Sequence, residues 1–284
     1  MAYADLDETR RAIELYDKAL VIAREIGDRR GEGAALGNLG LAYTDLRETR
    51  RAIEFYDKAL VIDREIGVRR GKGAEFGNLG LAYADLGETR RAIKFYDKAL
   101  VIAREIGDRL GEGNSLGNLG IAYANLGETR RAIEFFEKAL VIDHEIGDRR
   151  GEGADLGNLG NVYLILGDAR RAIEFYEKAL VIDREIGDRR GEGADLGNLG
   201  NACAMLGDAR RAIEFYEKKL VIVREIGDRR GEGNGLWNMA VALEKLGQRP
   251  EAIHQGEEAL VIMEAIEDPN AEKVRRILDE WRKG

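Results

Sequence analysis

Apolar residues return along this chain at steps of three and four, and glycines interrupt the pattern at regular intervals. Phe76, Leu79, Gly80, Tyr83 and Leu86 fall on one face of a helix, which Gly87 ends in the position of a C-cap. Ala92, Ile93, Tyr96, Ala99, Leu100 and Ile102 mark a second helical face between Thr89 and Ile106, and Gly107 breaks it. Asp108 then suits an N-cap, because its carboxylate can accept orphan amide bonds at the positive end of the next helix. Helices of about 18 residues, roughly 27 Å long, joined by turns of a few residues, must run antiparallel. The two prolines fit: Pro250 opens a helix, and Pro269 reads as a first-turn proline after Asp268.

The block recurs every forty residues, from Gly33 to Gly73, Gly113, Gly153 and Gly193, and in altered form at Gly233. A period in this range predicts a solenoid, each unit packing on its neighbours. The expected fold is all-α, a stack of antiparallel helical hairpins in a single domain over 1–284. Residues 1–32 form an incomplete first repeat. Six helix pairs follow at 33–72, 73–112, 113–152, 153–192, 193–232 and 233–268, and 269–284 is a capping helix with Val274, Ile277, Leu278 and Trp281 as its apolar stripe.

Glycines inside the first helices cost about 1 kcal/mol each against alanine, so close backbone approach has to offset them. Gly40 and its counterparts lie on the buried stripe, where a missing side chain lets helices touch. Gly37 and its counterparts fall toward the other face, where they leave room for a ligand or are inherited by duplication.

Leu39, Gly40, Tyr43, Ala52, Tyr56 and Ala59, with Leu36 in the aromatic slot, resemble the tetratricopeptide repeat signature, and the match recurs in every copy. The forty-residue period and the Leu-Gly-Asn of 159–161 and 199–201 are similar to the long repeats of LGN/Pins. The likeness to kinesin light chain and bacterial regulatory repeat proteins is looser. The resemblance implies a right-handed superhelix whose first helices line a concave groove that takes a peptide or protein segment.

Carried onto this chain, the groove positions include Asn118, Asn158, Asn198 and Asn238, members of an asparagine ladder that starts at Asn38 and Asn78. Each amide offers a donor and an acceptor to an extended backbone, or else bonds to the neighbouring helix. Leu41, Leu81 and Ile121 give way to Asn161 and Asn201 deeper in the groove. Arg150, Arg190 and Arg230, with Arg30 and Arg70, either face an acidic segment of the partner or form surface salt bridges with residues such as Glu32. Trp237 either anchors a ligand or fills the gap against the terminal cap. Residues 1–6 align with 81–86, so the chain opens inside a first helix. That end is either an excision point or a bare edge through which a homodimer forms.

A formal charge of −8, with both signs interleaved, offers no basic footprint for nucleic acid. No apolar run or leader signal points to a membrane or to export, so a cytoplasmic setting is expected. Cys203 occupies a slot held by tyrosine in four other repeats and reads as a core residue. His144 and His254 look like solvated substitutions, and the Gly-x-Gly pieces follow no strand. No catalytic residue, metal site or cofactor is expected. The leading reading is a non-catalytic protein-binding scaffold. The alternatives are the sensor part of a larger signalling ATPase and a self-associating or engineered array, the last suggested by near-identical blocks at Gly153 and Gly193.

Overall fold

The computed structural model describes the backbone of residues 3–283 and the side chains of 7–283. The chain divides into two compact units, 1–146 and 147–284. The first holds α1 (Tyr3–Glu25), α2 (Arg29–Asp45), α3 (Thr49–Glu65), α4 (Arg69–Asp85), α5 (Thr89–Ile106), α6 (Arg109–Asn125) and α7 (Thr129–Ile146). The second holds α8 (Arg149–Ile165), α9 (Ala169–Ile186), α10 (Arg189–Met205), α11 (Ala209–Glu225), α12 (Arg229–Lys245), α13 (Arg249–Ala265) and α14 (Ala271–Lys283). There is no strand among the described residues. Within each unit, successive helices pack in sequence order. No helix is long and apolar enough to cross a membrane among the described residues.

The packing inside a hairpin follows from small residues. Leu39, Leu79, Leu119, Leu159 and Leu199 are fully buried, as are Ala52, Ala92, Ala132, Ala172 and Ala212 on the facing helices. A Cβ placed on Gly40, Gly80, Gly160 or Gly200 would overlap the ring of Tyr56, Tyr96, Tyr176 or Tyr216, and one on Gly120 would lie 2.6 Å from Phe136 Cε1. That close approach offsets the cost of the helical glycine. A second aromatic contact stacks Tyr43 on Phe55, Tyr83 on Phe95, Tyr123 on Phe135 and Tyr163 on Phe175, each at 5.2 Å. Cys203 takes the tyrosine's place in its repeat and is buried.

The turns are built as the pattern implies. Gly87, Gly127, Gly167 and Gly207 end first helices in the left-handed region. Asp28, Asp108, Asp148, Asp188 and Asp228 each accept the amide three residues on, closing the start of α2, α6, α8, α10 and α12. Buried carboxylates fasten one hairpin to the next. Glu112 accepts from Arg104 Nε at 2.8 Å and from Arg109 at 2.6 Å, and Arg109 also reaches Glu145. Glu32 and Glu192 repeat the arrangement with Arg24 and Arg29, and with Arg184 and Arg189. The Arg24 hydrogen bond holds Glu32 below the usual carboxylate range, Arg29 adding to it against the opposing effect of burial. The start of α4 breaks the rule. Val68 replaces the capping aspartate, no side chain closes that end, and Lys72 replaces the glutamate.

Three places differ from expectation. α1 runs unbroken from Tyr3 to Glu25, past Asp7, which stands where later repeats have the glycine stop; the side chains of the aligned segment, residues 1–6, lie outside the described residues. Ile22 on that helix is 56% exposed, whereas its equivalent Ile62 is 4% exposed. Pro269 belongs to the turn ahead of α14, where Asp268 accepts from the Asn270 amide at 2.9 Å. Third, Arg47 holds a left-handed turn at φ 60°, a place that glycine occupies in later repeats.

Candidate binding clefts

The first helices of neighbouring repeats leave a cleft between them, floored by the second helix that joins them. Between α4 and α6, over α5, this cleft opens into a cavity of about 520 Å³. Gly73, Ala74, Gly77, Asn78 and Leu81 form one wall; Leu110, Gly111, Asn114, Ser115 and Asn118 form the other. Ala99, Ile102, Ala103 and Ile106 make the floor, and Arg70 stands at the edge. A Cβ on Gly77 would meet nothing within 4 Å, so the glycine borders open space. Leu81, Ile106 and Leu110 remain exposed there. Ser115 is occupied internally, donating to the Gly111 carbonyl at 2.7 Å. An apolar side chain fits this lining, with the amides of Asn78, Asn114 and Asn118 placed to meet a main chain.

The equivalents of Gly77 explain why the cavity falls here. At Gly37 the space is taken by Glu75, whose Oε1 would lie 2.7 Å from an added Cβ; at Gly157 Asp195 Oδ1 stands at 3.6 Å, and at Gly197 Lys219 Nζ at 2.9 Å. Glu75 and Asp195 reach in from the neighbouring hairpin, whereas Lys219 comes from the second helix of the same hairpin. Glu75 and Asp195 are buried acids, each with one carboxylate oxygen unpartnered among the described residues. Desolvation, reinforced by the nearby charge of Asp63, pushes Glu75 up to about 8, although a hydrogen bond from Asn78 opposes the rise. Burial likewise raises Asp195 to about 8, with Asp183 alongside.

The asparagines singled out by sequence have different roles. Asn118 lines the cavity. Asn158 and Asn198 are half-buried. Asn161 accepts the Tyr176 hydroxyl at 2.8 Å, and Asn201 accepts the Tyr216 hydroxyl at 2.8 Å and Asn238 Nδ2 at 3.1 Å. These amides answer a need created by the buried tyrosines: Thr44 meets the Tyr56 hydroxyl at 3.0 Å in an earlier repeat, and Phe136 has no hydroxyl to meet. Arg150 and Arg190 are exposed, while Arg230 approaches Asp268 at 3.8 Å. The ion pairs with glutamates are made by the preceding residues, Arg149, Arg189 and Arg229. Trp237 stacks on Trp281 at 5.5 Å and packs against the cluster of Met263, Val274 and Leu278.

Sequence reasoning passed over Leu110 and Lys219. Both had a signal: Leu110 stands in the arginine series of 30, 70, 150, 190 and 230, and Lys219 in the alanine series of 59, 99, 139 and 179.

Paired helices whose clefts vary over a constant frame define a helical-hairpin repeat protein. The tetratricopeptide repeat family model matches residues 1–65, 75–143 and 154–225, and the chain belongs to that family. A search of curated protein sequences finds no match. Among solved structures, the fold is similar to BtubC (BKLC) from P. vanneervenii, at 22% identity and a TM-score of 0.69, over 77% of this chain and 92% of that one. It is also similar to a Signal Transduction ATPase with Numerous Domains (STAND) protein with a tetratricopeptide repeat sensor from Pyrococcus horikoshii. There the identity is 20% and the TM-score 0.79, over 97% of this chain and 42% of that one. The apo quorum sensor NprR from B. thuringiensis matches at 16% identity and a TM-score of 0.65, over 99% of this chain and 87% of that one. At these identities the likeness is one of fold.

Proposed function

We propose that this chain is a non-catalytic binding module that takes a segment of another protein through its inter-repeat clefts, with the α4–α6 cavity receiving an apolar side chain. The observation that carries this reading is the coincidence of three departures from the repeat at one place. Leu110 replaces arginine, Asn114 replaces alanine, and Gly77 is left uncovered. Together they turn a charged rim into an apolar mouth with amides beside it. A cavity of about 520 Å³ matches a single large side chain with adjoining main chain better than a whole folded partner. The binding role fits a cytoplasmic protein. The fold shared with a quorum sensor and with the repeat sensor of a signalling ATPase supports a place as the sensing part of a larger regulator.

The test is selection of a random peptide library on the full chain, followed by fluorescence anisotropy on the recovered peptides. Leu110→Arg restores the residue of five other repeats, so the fold is retained while the mouth becomes charged. Enriched peptides should share an apolar anchor and lose roughly tenfold or more in affinity to the Leu110→Arg variant, as expected for one apolar anchor. Peptides without an apolar anchor, or equal affinity for both proteins, would overturn the assignment.

A further inference from the structure

Each second helix turns one face to the first helix of its own hairpin, and on α1 that face is bare among the described residues. Ala12, Leu15, Ala19, Ile22 and Ile26 return along it at steps of three and four. Leu15 is 63% exposed and Ile26 72%, and both join the exposed Ile22. Elsewhere the same positions are covered. Ile62, Ile102, Ile142, Ile182, Ile222 and Ile262, the counterparts of Ile22, are all buried, and so are the alanines equivalent to Ala12. The face of α1 that meets α2 is a different one: Ile13, Tyr16 and Leu20 pack there with Leu36 and Leu39. The bare stripe is thus a second apolar face, too regular to be scattered surface residues.

The charges beside the stripe are unmatched in the same way. Glu65, Glu105, Glu145, Glu185 and Glu225 each pair with an arginine of the first helix in their own hairpin: Arg29, Arg69, Arg109, Arg149 and Arg189. Glu25 holds that position on α1 and has no ion-pair partner among the described residues. Arg51, Arg91 and Arg131 pair with the glutamate three residues earlier, whereas their counterpart Arg11 has no partner among the described residues. Arg11 and Glu25 lie fourteen residues apart on the same flank of the stripe, since four helical turns separate them. One flank therefore carries an unused cation at its start and an unused anion at its end.

We infer that the stripe on α1 is an interface for a second copy of this chain, packed as an antiparallel α1–α1 pair about a two-fold axis. The alternating steps of three and four are those of a helix seam. With the axis between Leu15 and Ala19, each large side chain meets a small one: Leu15 faces Ala19 of the second copy, and Ile22 faces Ala12. The same arrangement brings Arg11 alongside Glu25 of the second copy, and the reverse, so both unused charges are answered twice. A parallel pair would set like charges together. Lys18, close to the axis on that flank, is long enough to turn its ammonium to solvent. A head-to-tail contact has nothing to use, because the outer face of α14 carries the exposed Glu272, Lys273, Arg276 and Glu280. The inference is independent of the α4–α6 cavity, to which α1 contributes no residue.

The test is analytical ultracentrifugation of the full chain between about 1 and about 500 μM. A reversible dimer is expected, with a dissociation constant on the order of 10–100 μM, as suits an interface of one helix face. Leu15→Glu, at an exposed position, should leave the helical signal unchanged and raise that constant about a hundredfold, because a two-fold interface counts each residue twice. Arg11→Glu and Glu25→Arg should each weaken self-association about threefold to tenfold. Mixed together, those two variants should form a heterodimer tighter than either homodimer, and the double variant should regain wild-type association. A strict monomer across the range, or a dimer that Leu15→Glu leaves intact, overturns the interface. No preference between the two charge variants on mixing overturns the antiparallel pairing.

Discussion

Replacing Glu75 by glutamine should make the protein more stable than wild type, by a margin that grows as pH rises from about 5 to about 8. Glu75 is 7% exposed, and its second oxygen has no partner among the described residues. Burial, then the charge of Asp63, raises its pKa from the ordinary 4.5 to about 8. At about 1.4 kcal/mol per pH unit, the ionised carboxylate costs the folded chain about 5 kcal/mol. The sign follows from proton counting. Between 4.5 and about 8 the unfolded chain has released this proton while the folded chain retains it, so stability falls as pH rises through that window. From about pH 5 to pH 8 the loss attributable to Glu75 is about 3 kcal/mol. Glutamine has nearly the same shape and can still meet Asn78 without acquiring charge. Because repeat arrays need not unfold in one step, amide hydrogen exchange across α3 and α4 is the assay of choice, with urea titration alongside. Glu75→Gln should match the wild type at about pH 5 and exceed it by about 2–3 kcal/mol at about pH 8. Equal behaviour at both pH values, or a variant weaker than wild type at pH 8, would refute the argument.

Two glycines of α4 should respond oppositely to alanine. Gly80→Ala drives a methyl into the Tyr96 ring and should cost about 1–3 kcal/mol, whereas Gly77→Ala meets open space and should add about 1 kcal/mol of helix stability, both read by thermal denaturation. Arg47→Gly should relieve the left-handed backbone at φ 60° and raise stability by about 1 kcal/mol; no gain would mean that Arg47 makes compensating contacts. Val68→Asp should cap α4 and add about 1 kcal/mol, seen as slower exchange at Gly71 and Lys72, since Asp188 caps α10 even though burial and then the Asp188 charge raise the pKa of Asp183 beside it.

Helix limits, glycine stops and aspartate caps could be read from the sequence because each depends on residues within one or two turns. The clefts could not, because their contents are decided by side chains twenty or more residues away in sequence. Gly37, Gly77, Gly157 and Gly197 look alike in sequence, yet they face Glu75, empty space, Asp195 and Lys219. Asn161 and Asn201 suggested ligand contacts; finding their tyrosine partners required knowing that residues fifteen apart meet across a hairpin. The continuity of α1 was not legible from the loss of glycine at Asp7, since Arg47, equally without glycine, still ends α2 at the equivalent position. Leu110 and Lys219 were visible as departures but had no meaning until their neighbours in space were known.

The missing cap on α4 bears on how the cavity would behave when filled. This wall begins at Val68 without a side-chain tie, while the opposite wall on α6 is closed by Asp108. Of the two sides, the first is the one whose opening turn frays more readily. A ligand spanning both would supply the restraint that the sequence omits, so occupancy and order at residues 69–73 become thermodynamically linked: whatever fills the space tightens the helix, and whatever tightens the helix improves filling. An occupied cavity would then be reported along the backbone, as a helix start that stops fraying.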